Sequence, residues 1–99
     1  MRLRLEVGAS VSEVTVGDGK HLVGRWDDCG VRVPDDTVSR HHARLRVTGQ
    51  GADIEDLGSA GGLFLNGEPV RRAALRVGDV VTMGRATLEV VSFESPSNR

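Results

Sequence analysis

The sequence predicts an all-β sandwich, and three observations lead to that prediction. Valine is the commonest apolar residue of the 99-residue chain, 13 glycines are spread along it, and polar and apolar residues alternate in most apolar segments. Valine packs well on pleated sheets, glycine serves turns, and alternation with period two buries one face of a strand. A sustained helical period with end caps is found in none of the segments.

The predicted strands follow one another along the whole chain. Segments that alternate strictly, or that form short apolar runs between turn residues, are 2–7, 14–16, 21–23, 31–33, 43–47, 63–65 and 69–70. Turn signals recur every ~8–12 residues, so we expect about ten short strands. The sharpest signal, Asn66-Gly67, predicts a two-residue hairpin with positive φ at both positions. Residues 69–77 are the nearest candidate for a helix, which we reject because they are few and carry β-branched residues towards their ends.

Composition limits the kind of protein this can be. With 38% hydrophobic residues and a formal net charge of −1, the chain fits one small folded domain, which we place at residues 1–94, with a tail or linker start at 95–99. The three aromatic residues and the near-neutral charge argue against nucleic-acid binding. No apolar run is long enough for a membrane span, and no signal-peptide segment follows Met1. We therefore expect a cytoplasmic domain that binds no membrane and is a monomer in isolation.

The sequence offers little for a metal or a cofactor, and we expect neither. The single cysteine, Cys29, allows neither an internal disulfide nor a cysteine-based zinc site. The acidic pairs Asp27-Asp28 and Asp35-Asp36 lack the spacing of a calcium-binding EF-hand loop and are typical of surface turns. A composition rich in Arg, Gly, Val and Asp, with one lysine, suggests a GC-rich bacterial source.

Surface arginines and the single tryptophan have interpretations of their own. The strands at 2–7 and 43–47 each carry two arginines on the polar face, where they are solvated and guard against pairing at a sheet edge. Trp26 either walls a binding surface or packs over the base of its loop. His41 is expected to be a plain surface residue.

Three loops concentrate residues that could bind an anion. Gly24-Arg25 follows the strand at 21–23, Ser39-Arg40 shortly precedes the strand at 43–47, and residues 56–62 are rich in glycine. Arginine offers forked donors that match phosphate oxygens, and serine adds a neutral donor. Together these groups make a chemically sensible anion site.

These residues and their spacing resemble the forkhead-associated (FHA) domain family. The resemblance extends from about residue 23 to residue 91, and five motifs occur in the family's order. The motifs are Gly24-Arg25, Ser39-Arg40-x-His42-Ala43, Asp56-Leu57-Gly58-Ser59, Phe64-x-Asn66-Gly67 and Leu75-x-x-Gly78-Asp79-x-Val81. Domains of this family read phosphorylated motifs through clusters of arginine.

The resemblance implies a β-sandwich of about eleven strands whose loops at one end bind phosphothreonine peptides. Arg25 matches the family arginine that contacts the phosphate and the peptide main chain, and Ser39 matches the serine that donates to the phosphate. Arg40 matches a position that often touches phosphate or peptide. The implied binding set is completed by Ser59, Ala60 and Gly61. The residues implied to support the binding loops are Gly24, His42, Asn66 and Gly67.

The third loop departs from the family pattern. Where the family has Ser/Thr-Asn-Gly-Thr, this chain has Ala60-Gly61-Gly62-Leu63, so one hydroxyl for the phosphate and one asparagine for the peptide backbone are missing. The leading interpretation is a phosphothreonine-peptide recognition module that mediates phosphorylation-dependent interactions, its partner being a substrate of a Ser/Thr kinase. The alternative is a docking module of the same fold that binds a protein without phosphate.

An enzyme is not expected. Ser39 and His42 could suggest a hydrolase, but they lie three residues apart in one segment, which disfavours a nucleophile held by a base beside an oxyanion site. Asp56 is better explained as an acceptor for backbone N–H groups in a turn.

Overall fold

Two β-sheets account for the regular structure of residues 1–93, which are the residues that the computed structural model describes. The predicted domain end at residue 94 and the predicted tail at 95–99 lie outside them. The strands are β1 (Arg2–Val7), β2 (Ser10–Thr15), β3 (Gly19–Gly24), β4 (Val31–Arg32), β5 (Ala43–Thr48), β6 (Gly51–Asp56), β7 (Leu63–Leu65), β8 (Glu68–Val70), β9 (Arg72–Leu75), β10 (Val80–Met83) and β11 (Ala86–Ser92). The prediction of an all-β sandwich is confirmed. The stretch considered for a helix forms β8 and β9 instead.

The chain passes between the two sheets several times. One sheet has six strands in the order β2-β1-β11-β10-β7-β8, and the other has five in the order β4-β3-β5-β6-β9. Pairing is antiparallel except between β3 and β4. Within residues 1–93 no helix is long and apolar enough to cross a membrane.

The core lies between the sheets and follows the predicted alternation. In β1 the buried residues are Leu3 and Leu5, and in β5 they are Ala43, Leu45 and Val47. Because successive side chains of a strand point to opposite faces, the polar residues between them face solvent. The burial of one face per sheet is the main source of stability, at about 1.5–3 kcal/mol for each large aliphatic side chain.

The arginines on the solvent faces of β1 and β5 do not protect sheet edges, as the sequence had suggested. β1 lies between β2 and β11, and β5 lies between β3 and β6, so both strands are internal. On β5 the arginines pair across the ladder with acidic residues of β6. Arg44 Nη2 lies 2.9 Å from Glu55, and Arg46 Nη2 lies 2.8 Å from Asp53. Their role is cross-strand pairing.

The Asn66-Gly67 hairpin forms as predicted. Asn66 has a φ of 50° and Gly67 has a φ of 89°, and the turn joins β7 to β8. The Asn66 amide donates to Asp79 Oδ1 at 3.0 Å, and its carbonyl oxygen accepts from the Val80 backbone at 2.9 Å. The hydrogen bond from Asn66 is the main cause that lowers the pKa of Asp79. This asparagine therefore ties the hairpin to the start of β10.

A polar brace joins the connection before β5 to the turn between β10 and β11. Asp35, expected in an exposed turn, is only 7% exposed and accepts from Arg85 Nη2 at 2.6 Å. The Thr37 hydroxyl donates to the same carboxylate and accepts from the Arg85 backbone N–H at 2.9 Å. At Gly84 a β-carbon would overlap Thr37, so this close approach requires glycine. The brace links a connection of the five-stranded sheet to a turn of the six-stranded sheet.

The brace predicts how stability responds to acid. Hydrogen bonds from Arg85, and then from Thr37, lower the pKa of Asp35 from 3.8 to about 2. A depressed pKa in the folded state stabilises the fold above the unfolded-state pKa, and that contribution is lost as the pH falls from about 4 to about 2. We expect Asp35→Asn to lower the free energy of unfolding at pH 6 and to flatten its dependence on pH between 4 and 2, as measured by urea denaturation.

The neighbouring Asp36→Asn variant is the matched control, because Asp36 is exposed. It should keep the wild-type pH profile. An unchanged profile in Asp35→Asn would show that the brace does not contribute to acid stability.

Candidate functional site

Three connections between strands meet at one end of the sandwich. We call residues 25–30 the first loop, residues 33–42 the second loop and residues 57–62 the third loop. The backbone N–H of Arg25 donates to the carbonyl oxygen of Ser39 at 3.1 Å, and that of Trp26 donates to the carbonyl oxygen of Arg40 at 3.2 Å. These two bonds hold the first loop against the second.

Gly24 makes that contact possible. It is buried, and a β-carbon there would overlap the backbone carbonyl group of Arg40. Its φ lies outside the positive range, so the requirement for glycine comes from the close approach of two backbones rather than from turn geometry. The glycine therefore lets the first loop, which carries Arg25, lie directly beside the second loop, which carries Arg40.

Arg25 is anchored at one end and free at the other. Its Nε donates to the carbonyl oxygen of Val38 at 3.0 Å, which fixes the side chain on the second loop. The two Nη groups have no partner among residues 1–93. A half-buried guanidinium held in this way presents a preorganised fork of N–H donors to a ligand.

Ser39 keeps a single donor for a ligand. Its backbone N–H donates to His42 Nδ1 at 3.1 Å, and its carbonyl oxygen accepts from Arg25. The hydroxyl oxygen accepts from the Ala60 backbone N–H at 3.3 Å, which joins the second loop to the third. Because the hydroxyl only accepts within the protein, its own proton remains available to an oxyanion.

His42 is a buried bridge between the second and third loops. The side chain is fully buried, Nδ1 accepts from Ser39, and Nε2 lies 2.6 Å from the carbonyl oxygen of Gly62. A ring that accepts at Nδ1 and meets a carbonyl at Nε2 carries its proton on Nε2. Both nitrogens are therefore used by the protein, as a bracing role requires.

The third loop is organised around Asp56. Its carboxylate accepts from the backbone N–H groups of Gly58 and Ser59 at 3.2 and 3.3 Å. The Ser59 hydroxyl donates to Asp56 Oδ1 at 2.5 Å and accepts from the Gly62 N–H at 3.0 Å. Ser59, expected to contact the peptide, is thus engaged as a loop clamp and has no hydroxyl proton to offer.

The two residues that depart from the family pattern are exposed. Ala60 and Gly61 lie at the tip of the third loop, and the nearest atom to a β-carbon at Gly61 would be 4.0 Å away. The φ of Gly61 is not positive, in contrast to those of Gly58 and Gly62. A side chain at position 61 would therefore meet neither strain nor a clash.

Trp26 and Arg40 stack on each other beside Arg25. The Arg40 guanidinium lies 4.9 Å from the centre of the Trp26 ring, and the tryptophan is 47% exposed. Trp26 therefore walls the surface rather than packing over the base of its loop. It also borders an open depression of about 330 Å³ whose lining includes Arg25 and Arg32.

The side chain of Asn66 makes its hydrogen bonds away from the three loops. Asn66 and Gly67 follow β7, whereas the third loop precedes it, and the contacts of Asn66 are with Asp79 and Val80. The support of the binding loops by this pair, which the resemblance implies, stays a prediction, and the contacts of Asn66 fix the hairpin. The second loop depends on Asp35, Thr37 and Arg85, a group that no local sequence signal marks because Arg85 lies 50 positions from Asp35.

The chain is similar to known proteins that contain FHA domains. The family model for the FHA domain matches residues 21–84. The FHA domain-containing protein FhaA of Mycobacterium tuberculosis is 38% identical over 73 residues, which cover 74% of this chain and 14% of FhaA. The first three curated relatives are matched over 14%, 8% and 41% of their own lengths, so the chain spans less than half of each.

Solved structures agree with the family match. An FHA domain studied for its phosphothreonine-dependent interactions has a TM-score of 0.82 and 34% identity, covering 92% of this chain and 94% of that one. Mycobacterium tuberculosis EmbR, in complex with a low-affinity phosphopeptide, has a TM-score of 0.78 and 26% identity, covering 92% of this chain and 25% of EmbR.

The bridging role of His42 predicts a large loss of stability on its removal. In His42→Ala the Ser39 N–H and the Gly62 carbonyl lose their partner inside the protein, and a cavity is left. We expect the free energy of unfolding to fall by about 2–4 kcal/mol, measured by urea denaturation. His41→Ala, one residue away and exposed, is the control and should change it by less than about 1 kcal/mol. Equal losses in the free energy of unfolding for the two variants would contradict the bridging role of His42.

Proposed function

The chain belongs to the FHA domain family, and from that premise we propose that it recognises phosphothreonine in a partner protein. The observation that carries the proposal is the set of free donors where the three loops meet. Arg25 offers its two Nη groups and Ser39 offers its hydroxyl proton, while their remaining polar groups are held by the protein. The phosphothreonine-dependent interactions of a similar FHA domain, and the phosphopeptide complex of EmbR, support this choice of ligand.

The third loop adds one backbone donor. The N–H groups of Gly58, Ser59, Ala60 and Gly62 are all bound within the protein. The N–H of Gly61 has no partner among the described residues and is exposed at the tip of the loop. A phosphate with a charge of about −1.5 to −2 would receive charge-assisted bonds from Arg25 and neutral bonds from Ser39 and Gly61.

Arg40 takes a secondary part in the proposal. Its guanidinium is exposed and stacked on Trp26, so it adds positive charge beside Arg25 without being fixed on a carbonyl group. Binding of a dianion can draw it away from the ring at a modest cost, since an exposed cation–π contact is worth about 0.5–1 kcal/mol. Arg40 would therefore contact either the phosphate or the peptide.

The geometry favours binding over catalysis. A serine nucleophile needs a base within hydrogen-bonding reach of its hydroxyl. His42 instead uses Nδ1 for the Ser39 backbone N–H and Nε2 for the Gly62 carbonyl. We therefore propose an interaction module whose partner is a phosphothreonine-bearing substrate of a Ser/Thr kinase, acting as a monomer in the cytoplasm of a bacterium.

A second candidate is docking without phosphate, and the third loop favours it. Ala60 has no hydroxyl for a phosphate oxygen and Gly61 has no side-chain amide for a peptide backbone, so two side-chain contacts of the family are lost. The two candidates differ in whether binding depends on the phosphoryl group, and the variants below test that difference.

Loss of Arg25 should remove most of the affinity for phosphopeptides. Arg25→Ala deletes a charge-assisted hydrogen bond worth roughly 1.5–3 kcal/mol, which corresponds to about 10- to 100-fold in affinity. The measurement is calorimetry with a phosphothreonine peptide selected from a degenerate library. Ser39→Ala should cost less, because it removes one neutral donor. Arg76→Ala is the matched control, since Arg76 is exposed in the connection between β9 and β10. Equal affinity of Arg25→Ala and Arg76→Ala for the phosphopeptide would show that the binding site does not include Arg25.

Restoring the family's groups in the third loop should strengthen binding. In the double variant Ala60→Thr/Gly61→Asn, the new hydroxyl can donate to the phosphate and the new amide can bond the peptide. The open, unstrained position of Gly61 admits the asparagine. We expect a gain of about tenfold or more by calorimetry, since a hydrogen bond to a charged group contributes about 1.5–3 kcal/mol.

The double variant Ala60→Val/Gly61→Asn separates the hydroxyl from the stiffening of the loop. Valine is β-branched like threonine and lacks the hydroxyl, so its gain should be clearly smaller. If neither variant binds phosphopeptide more tightly, and wild type binds the phosphorylated and unphosphorylated peptides equally, docking without phosphate is the function.

A further inference from the structure

A second cluster of reactive side chains lies beside the three loops. Asp28 and Cys29 belong to the first loop, and His41 belongs to the second. One potential ligand atom of each residue lies within 4.8 Å of the other two. None of the three takes part in the proposed phosphate contacts, so the cluster calls for an explanation of its own.

The contacts within the cluster show how its groups are held. His41 Nε2 lies 2.9 Å from Asp28 Oδ1 and 3.0 Å from Asp28 Oδ2. The Cys29 sulfur lies 3.9 Å from Asp28 Oδ1 and 3.3 Å from the carbonyl oxygen of Arg40. The imidazole and the carboxylate are about half exposed, at 44% and 57%, whereas the cysteine is buried at 8%. The sulfur therefore lies at the buried side of the cluster, and the imidazole and the carboxylate lie at its solvent-exposed side.

These separations are close to those around a tetrahedral ion. Zinc binds thiolate sulfur at about 2.3 Å and imidazole nitrogen or carboxylate oxygen at about 2.1 Å, which places neighbouring ligand atoms about 3.4–3.6 Å apart. His41 Nε2 and Asp28 Oδ1 are closer than that, at 2.9 Å. The Cys29 sulfur is farther from Asp28 Oδ1, at 3.9 Å. Adjustments on the order of 1 Å would close the site, and the exposed side chains of Asp28 and His41 have the freedom to make them.

We propose that Asp28, Cys29 and His41 form a binding site for a divalent ion of the zinc class. One thiolate, one imidazole and one carboxylate suit Zn²⁺ or Co²⁺, whereas Ca²⁺ and Mg²⁺ require oxygen ligands. Three protein ligands leave a fourth position for water. On binding, the thiol proton leaves to solvent and the sulfur exchanges its contact with the Arg40 carbonyl for the ion.

The sequence carries no motif for this site. A single cysteine excludes zinc sites built from several cysteines, and the eleven residues between Cys29 and His41 fit no metal-binding motif. The loops bring the residues together through the bonds of Trp26 and Arg25 to the second loop. A bound ion would add a further link between the first and second loops, beside the backbone hydrogen bonds that already join them.

The test is metal binding by the untagged, reduced protein. Titration with Co²⁺ should give a thiolate-to-cobalt absorption band that saturates at one ion per chain, and Zn²⁺ should displace the cobalt. Zn²⁺ should also raise the melting temperature, because an ion that binds only the folded state stabilises it. Absence of the band together with an unchanged melting temperature would overturn the proposal.

Variants assign the ligands. Cys29→Ser should abolish the absorption band and weaken Zn²⁺ binding at least about tenfold, and His41→Asn should weaken it similarly. Asp27→Asn is the matched control, because Asp27 is the adjacent exposed carboxylate and lies outside the cluster. If Cys29→Ser fails to fold because the position is buried, His41→Asn and Asp28→Asn still test the site, since both residues are exposed. Wild-type affinity in those two variants would overturn the proposal.

Discussion

The arrangement of the second and third loops depends on one buried imidazole. His42 connects the backbone of Ser39 in the second loop to the backbone of Gly62 in the third loop, and both of its nitrogens are used in doing so. The ring lies directly before β5, whose apolar side chains are fixed in the core. The backbone of His42 continues the strand pairing, since its N–H donates to the Val23 carbonyl at 2.8 Å and its carbonyl accepts from the Leu57 N–H at 3.0 Å. Its ring extends that rigidity to the second and third loops. Loops held in this way can present donors that are already in place when a ligand arrives.

The remaining groups act around that bridge. Gly24 lets the first loop approach the second, and the brace of Asp35, Thr37 and Arg85 holds the second loop against the other sheet. Once these contacts are made, several donors at the loop tips have no hydrogen-bond partner among residues 1–93. The free ones include the Arg25 Nη groups, the Ser39 hydroxyl proton and the Gly61 N–H. Their chemistry suits the phosphate site that we propose, which has fewer side-chain donors from the third loop than the family pattern provides.

Much of the fold was predictable because it rests on local rules. Period-two alternation marked most strands, and Asn66-Gly67 marked its hairpin, since both depend on neighbouring residues. The contacts that decide the site are long-range and were not predictable in this way. One exception is local: the Ser59 hydroxyl, expected to serve the ligand, donates to Asp56 three positions away, and the sequence alone did not show which acceptor it would take. Asp35 looked like a surface carboxylate, and its partner Arg85 is too far along the chain for any spacing rule. Likewise, His41 was expected to be a plain surface residue; it is exposed, and it also lies beside Asp28 and Cys29.

The claim that binding depends on the phosphoryl group is tested most directly by backbone amide chemical shifts. The protein is titrated with one phosphothreonine peptide and, separately, with its unphosphorylated twin. We expect large shifts with the phosphorylated peptide alone, centred on Arg25, Ser39 and Gly61. The amides of Asn66 and Asp79, which lie beyond β7 from the third loop, should stay unchanged. Equal shifts with both peptides, or shifts centred away from the three loops, would contradict the account.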